Sequence, residues 1–193
     1  MIDSFEQKLK VEMNQLFDTI DETSLYDAKN LIVDNEKNGS RVHVTGIGKS
    51  SHVASYISSL LSSTGTPSYF LDGTEAVHGS SGQVVPNDIV IAISNSGETK
   101  ELLYSVRTLK NNGAKIIGVS KSSTSSLSEL SDVCLCTSTR NEGDDLNKPP
   151  RISVIKQTLL LQCLSLILQE DKHLDLESYG KWHPGGAIGA SIK

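Results

Sequence analysis

The chain has 193 residues and a formal net charge of -5, which suits one well-cored domain over 1–193 and is too short for two large ones. With 18 Lys and Arg against 23 Asp and Glu and no basic run, it lacks the phosphate-neutralising surface of a nucleic-acid binder, so a small-molecule partner is expected. The start, MIDSFEQKLK, has no signal-peptide pattern, and no apolar run is expected to span a membrane.

Phe5, Leu9, Met13, Leu16, Phe17 and Ile20 recur at helical spacing, and a second amphipathic segment follows over 24–35. The first strand is predicted at 41–45. It runs into Thr45-Gly46-Ile47-Gly48-Lys49-Ser50-Ser51-His52, a glycine turn opening a helix over 52–63 that stops near Gly65. This loop has neither the four-residue glycine spacing of a Walker loop nor the third glycine of a dinucleotide fingerprint. A tight strand-to-helix turn with an exposed lysine would explain it equally well.

A second strand is expected at 68–71, followed by Glu75-Ala76-Val77-His78-Gly79. The β-branched run 88–93 is almost without alternation, the mark of a parallel strand covered on both faces. It ends in Ser94-Asn95-Ser96-Gly97-Glu98-Thr99 and a helix over 99–112, stopping near Gly113. Hydroxyls, a glycine and free helix N–H groups at one strand end form an oxyanion cradle, phosphate being the best fit. The competing explanation is that Ser94, Ser96 and Thr99 only cap the helix and shape the turn.

Strands at 115–119 and 132–137 flank a short helix over 125–130. Cys134, Cys136 and Cys163 are an odd number without metal-ligand spacing, and are expected as buried thiols in a reducing cytosol. A loop rich in Asn, Asp and Pro over 139–150 leads to the apolar stretch 154–168, a buried helix or an oligomer contact. Near the end, Trp182 and Ile188 flank a glycine-dense segment and suggest that it docks on something. His43, His52 and His173 are assigned structural places. The whole is an α/β chain, a three-layer sandwich in which a five-stranded, largely parallel sheet is flanked by helices. In such sheets the two loops ending at Ser50 and Thr99 border one crevice, with Gly48, Ser50, Ser94, Asn95, Ser96, Gly97 and Thr99 around a phosphate.

With GIGKSSHVA, STGTPSYFLDGTEAVHG, DIVIAISNSGETKEL and HPGGAIG in this order, the chain resembles the sugar isomerase (SIS) domain, and more narrowly the arabinose 5-phosphate isomerases. The resemblance covers 41–189 and suits the amino-terminal helices. It implies an enzyme interconverting ribulose 5-phosphate and arabinose 5-phosphate for Kdo synthesis toward lipopolysaccharide or capsule. It further implies a homotetramer with sites shared between subunits, no required metal and no cofactor. In that family the site uses the lysine of GxGKS, the histidine of AxHG, the glutamate after SNSGE and the histidine of HPGGA. These are Lys49, His78, Glu101 and His183, which the resemblance makes the catalytic set.

Two departures stand out. Typical members continue into paired CBS domains, and this chain is expected to lack regulation through them. Where many members have a Ser/Thr-rich segment, this chain has Asn147-Lys148-Pro149-Pro150-Arg151-Ile152-Ser153, which bears on ligand contacts and substrate. On chemistry, Glu101 is the expected base between C1 and C2, Lys49 stabilises charge, and His78 or His183 moves the oxygen protons. The rivals are an isomerase of another phosphosugar and a non-catalytic module that binds a sugar phosphate or nucleotide-sugar.

Overall fold

The computed structural model describes residues 1–192, apart from the Ile188 side chain. Two helices, α1 (Ile2–Thr19) and α2 (Glu22–Glu36), precede β1 (Val42–Gly46), α3 (Lys49–Ser63) and β2 (Ser68–Asp72). Two short 3-10 turns, Glu75–His78 and Ser80–Gln83, lead to β3 (Ile89–Ile93) and α4 (Lys100–Asn111). Then come β4 (Lys115–Ser120), α5 (Ser126–Leu130), β5 (Val133–Cys136), α6 (Ile152–Asp171), α7 (Leu176–Trp182) and α8 (Gly186–Ile192). Each expected strand is present within a residue or so of its predicted bounds. Neither the 3-10 turns nor α7 and α8 were predicted, because glycine-dense, short segments carry no clear period.

Among the described residues all five strands pair in parallel, in the order β2-β1-β3-β4-β5. Alternate residues of β3 divide between two cores: Ile89, Ile91 and Ile93 pack with α2, α3 and α6, whereas Val90 and Ala92 pack with α4 and α5. That division makes the three layers, and it explains why β3 shows no polar alternation. The chain order reverses direction across the sheet between β1 and β3, so their carboxyl ends bound the crevice where ligands of open parallel sheets sit.

Helix α6 has 20 residues and contains an 18-residue window of mean hydropathy 1.5, so by length and composition it could cross a bilayer, contrary to the expectation from sequence. Its packing is that of a core helix. Leu160, Leu161, Leu164 and Leu168 are buried against α2 and α3, and Lys156 on the same helix is 0% exposed. The Lys156 ammonium lies 2.9 Å from the carboxylate of Glu12 on α1, which also accepts from the Arg140 amide. The three cysteines are free and half-buried rather than buried, since β5 is an edge strand and Cys163 lies at the margin of the core.

At the amino ends of β1 and β3, away from the crevice, His43 Nε2 lies 3.0 Å from the buried Asp88 carboxylate, which also accepts from the Arg41 and Val85 amides. His43 Nδ1 has no partner, so the neutral ring donates through Nε2 and a second proton would be buried unsatisfied. Burial pushes the His43 pKa down, outweighing the upward pull of Asp88, while Arg41 adds to the depression and Tyr69 offers only its ring face. The unfolded chain therefore binds this proton more tightly than the folded one. Stability is full above the unfolded histidine value of about 6.5 and falls as pH drops below it. Urea unfolding at stepped pH should show this slope in the natural chain and a shallower one in His43→Gln; equal slopes would dismiss His43 as its source.

Candidate active site

The site begins where β1 and β3 end. Gly48 caps α3 with a backbone φ of 63°, and α3 starts at Lys49 without a side-chain cap, which leaves its first N–H groups open. On the other side, Thr99 is the N-cap residue of α4 but makes no side-chain cap bond. Its hydroxyl instead lies 3.0 Å from that of Ser94. Ser94 Oγ accepts from Gly97 N–H and Ser96 Oγ accepts from Glu98 N–H, so those two do shape the turn. One hydrogen of the Ser94–Thr99 pair and that of Ser96 remain for a ligand. Gly97 is required here: its φ is 70°, and a Cβ would fall 2.2 Å from Ser125 Oγ. Glu98 turns away and accepts from the backbone and hydroxyl of Ser126; the backbone bond chiefly, with the hydroxyl, lowers its pKa.

Lys49, Ser50, Ser94, Asn95, Ser96 and Thr99 line one cavity of about 270 Å³, so the structure brings these together. Gly48 and Gly97 shape its two loops. The same cavity is lined by Glu142, Lys148, Pro150 and Ser153, which the cradle reading from sequence did not include. A signal for them existed: residues following a parallel strand leave the sheet at the edge where its ligand crevice lies. Glu142 is 7% exposed, and one of its oxygens accepts from the amides of Arg151 and Ser153, which caps α6. Asn95 Oδ1 and Ser153 Oγ are buried there with no hydrogen-bond partner.

His78 and Glu101 line a second depression, of about 520 Å³, with Gly73, Thr74, Val77, Lys100 and Tyr104. The start of α4 lies between the two hollows, since Thr99 lines one and Lys100 the other. His183 lines neither. Its ring stacks on Tyr179 at 3.9 Å between centroids, and its Nδ1 lies 2.8 Å from the Tyr179 carbonyl. A carbonyl only accepts, so Nδ1 carries the hydrogen and Nε2 is left as the proton acceptor. Within one chain, then, the four expected catalytic residues occupy three places. Trp182 packs over Gly65 at the end of α3, which answers the expected docking; the Ile188 side chain lies outside the described residues.

The SIS domain family model matches residues 37–167. The chain belongs to the SIS domain family. Among its relatives, the arabinose 5-phosphate isomerase KdsD of Francisella tularensis is 33% identical over 96% of this chain and 57% of that protein. The arabinose 5-phosphate isomerase KpsF of Escherichia coli O6:H1 is 36% identical over 78% of this chain and 46% of that protein. The chain thus spans about half the length of these curated relatives. A solved structure from E. coli CFT073 in complex with arabinose 5-phosphate is 34% identical, covers 95% of both chains and has a TM-score of 0.85. A candidate phosphosugar isomerase involved in capsule formation from Bacteroides fragilis is 32% identical over 96% of this chain and 98% of that one, with a TM-score of 0.88. The SIS fold accounts for the parallel sheet flanked by helices.

Proposed function

We propose that this SIS domain is an aldose-ketose isomerase that interconverts D-ribulose 5-phosphate and D-arabinose 5-phosphate. The observation that carries the proposal is the hydroxyl-and-lysine cavity between β1 and β3, in a chain whose fold matches a structure solved with arabinose 5-phosphate. Ser94, Ser96, Thr99 and the open N-termini of α3 and α4 hold the phosphate, with Lys49 beside it.

In the aldose-to-ketose direction Glu101 takes the C2 proton, an ene-diolate forms, and the proton is returned to C1. The O2 proton leaves as O1 gains one, a transfer for which His183 Nε2 and His78 are the available groups. Of the two roles open to Lys49, charge stabilisation on the ene-diolate or on the phosphate, its place in the cradle favours the phosphate. The family resemblance implies a homotetramer with sites shared between subunits, and the separation of Lys49, the His78–Glu101 pair and His183 within one chain supports such sharing. The product would serve Kdo synthesis for lipopolysaccharide or capsule, in the cytoplasm.

The test is solvent deuterium entry at C2, followed by NMR across five-, six- and seven-carbon phosphosugars. Entry is expected for the five-carbon pair and absent for unphosphorylated sugars. Entry only with a longer phosphosugar would move the substrate and keep the chemistry. No entry with any of them, alongside saturable binding, would make the chain a sensor.

A further inference from the structure

Lys148 stands on the loop between β5 and α6 and lines the same cavity as Lys49. Its backbone is fixed from both sides. Asn147, at φ 50°, accepts from the Glu142 amide at 2.6 Å and donates its own amide to Asp144 at 2.8 Å, and Pro149 and Pro150 follow directly. Neither Lys148 nor Lys49 is held by a carboxylate among the described residues. One oxygen of Glu142, the carboxylate lining this cavity, accepts two amides at the start of α6, whose dipole partly offsets its charge. The cavity is therefore faced by two ammonium groups against one partly offset carboxylate. Ser153 Oγ, fully buried and without a partner, is a hydroxyl waiting for an acceptor in the same place.

We infer that Lys148 is a second phosphate-binding cation, so that the phosphate is taken as a dianion between Lys49 on α3 and Lys148 on the loop, with Ser153 donating to it. This rests on the phosphosugar site proposed above and adds the residue that sets its charge selectivity. Two cations match one dianionic monoester, which favours phosphorylated sugars over neutral ones or those bearing a single carboxylate.

The test titrates inorganic phosphate into the natural chain, Lys148→Met and Lys148→Arg, and measures ribulose 5-phosphate kinetics for each. Lys148→Met is expected to weaken phosphate binding about tenfold to a hundredfold and to raise KM by a similar factor, with kcat within about twofold. Lys148→Arg is expected to recover most of the binding. An unchanged phosphate affinity in Lys148→Met, or no phosphate binding by the natural chain, overturns the inference. So does Lys148→Arg binding as poorly as Lys148→Met, since the loop rather than its charge would then be responsible. Phosphate binding that depends on Lys148 in a chain that exchanges no proton at C2 of any phosphosugar would overturn the isomerase proposal and leave this one standing.

Discussion

Glu101→Gln is expected to lower kcat by about 10²- to 10⁴-fold, the usual contribution of a positioned general base, while inorganic phosphate still binds. The expectation follows from the separation of two hollows. Phosphate is held on the Lys49 side of the α4 N-terminus, and Glu101 faces the other side with His78, so removing its charge leaves the cradle intact. A second carboxylate gives the experiment its edge. Glu142 lines the cradle itself, but its carboxylate accepts two backbone amides, so it is engaged in holding α6. Glu142→Gln should therefore cost stability more than turnover. If Glu101→Gln stays active and Glu142→Gln is dead at equal fold content, the base has been misassigned and Glu142 takes the role.

The second large effect is on stability. Lys156→Met should destabilise the fold by about 3–5 kcal/mol, because it leaves the Glu12 carboxylate buried against α6 without its cation. The side chains of Lys156 and Glu12 are 0% and 5% exposed, so water cannot take over from the lost partner. Replacing both, as Lys156→Met with Glu12→Leu, should recover most of the loss, since no unpaired charge remains. Because Glu12 also accepts from the Arg140 amide, the single variant should loosen the loop that carries Glu142 and Lys148. Chemical unfolding of the single and double variants checks both statements. A single variant within about 1 kcal/mol of the natural chain would show that Glu12 finds another partner or water.

Much of this was legible in the chain before its fold. Uninterrupted β-branched runs such as 88–93 mark strands covered on both faces, and glycine-hydroxyl loops mark their carboxyl ends. Helices at α3 and α4 were also expected, with Gly65 and Gly113 just past them, while the apolar stretch 154–168, open between a buried helix and an oligomer contact, lies within α6. The cradle followed from one further rule, that ligands of parallel sheets sit at that edge. Other parts were not legible for particular reasons. Phe17 shares the helical spacing of Leu16 yet is 59% exposed, because α1 turns a narrower face to α6 than the pattern suggested. His78 lies in a 3-10 turn too short to carry a period, and the stacking of His183 on Tyr179 depends on how α7 ends.

By itself, then, the sequence determined the strands, the longer helices, the class of sheet and the residue types at each loop, because backbone propensity and side-chain periodicity are properties of neighbours along the chain. Beyond the one crevice expected for the Ser50 and Thr99 loops, only the tertiary structure decided which of those residues share a space. The order β2-β1-β3 sets the Lys49 loop beside the Ser94 loop, and the chain after β5 returns Glu142 and Lys148 over the same cavity. It also sends Glu101 and His78 to the far side of the α4 start and pairs Lys156 with Glu12 across 144 residues. Such meetings depend on burial and charge compensation between distant segments, which leave no local pattern to read.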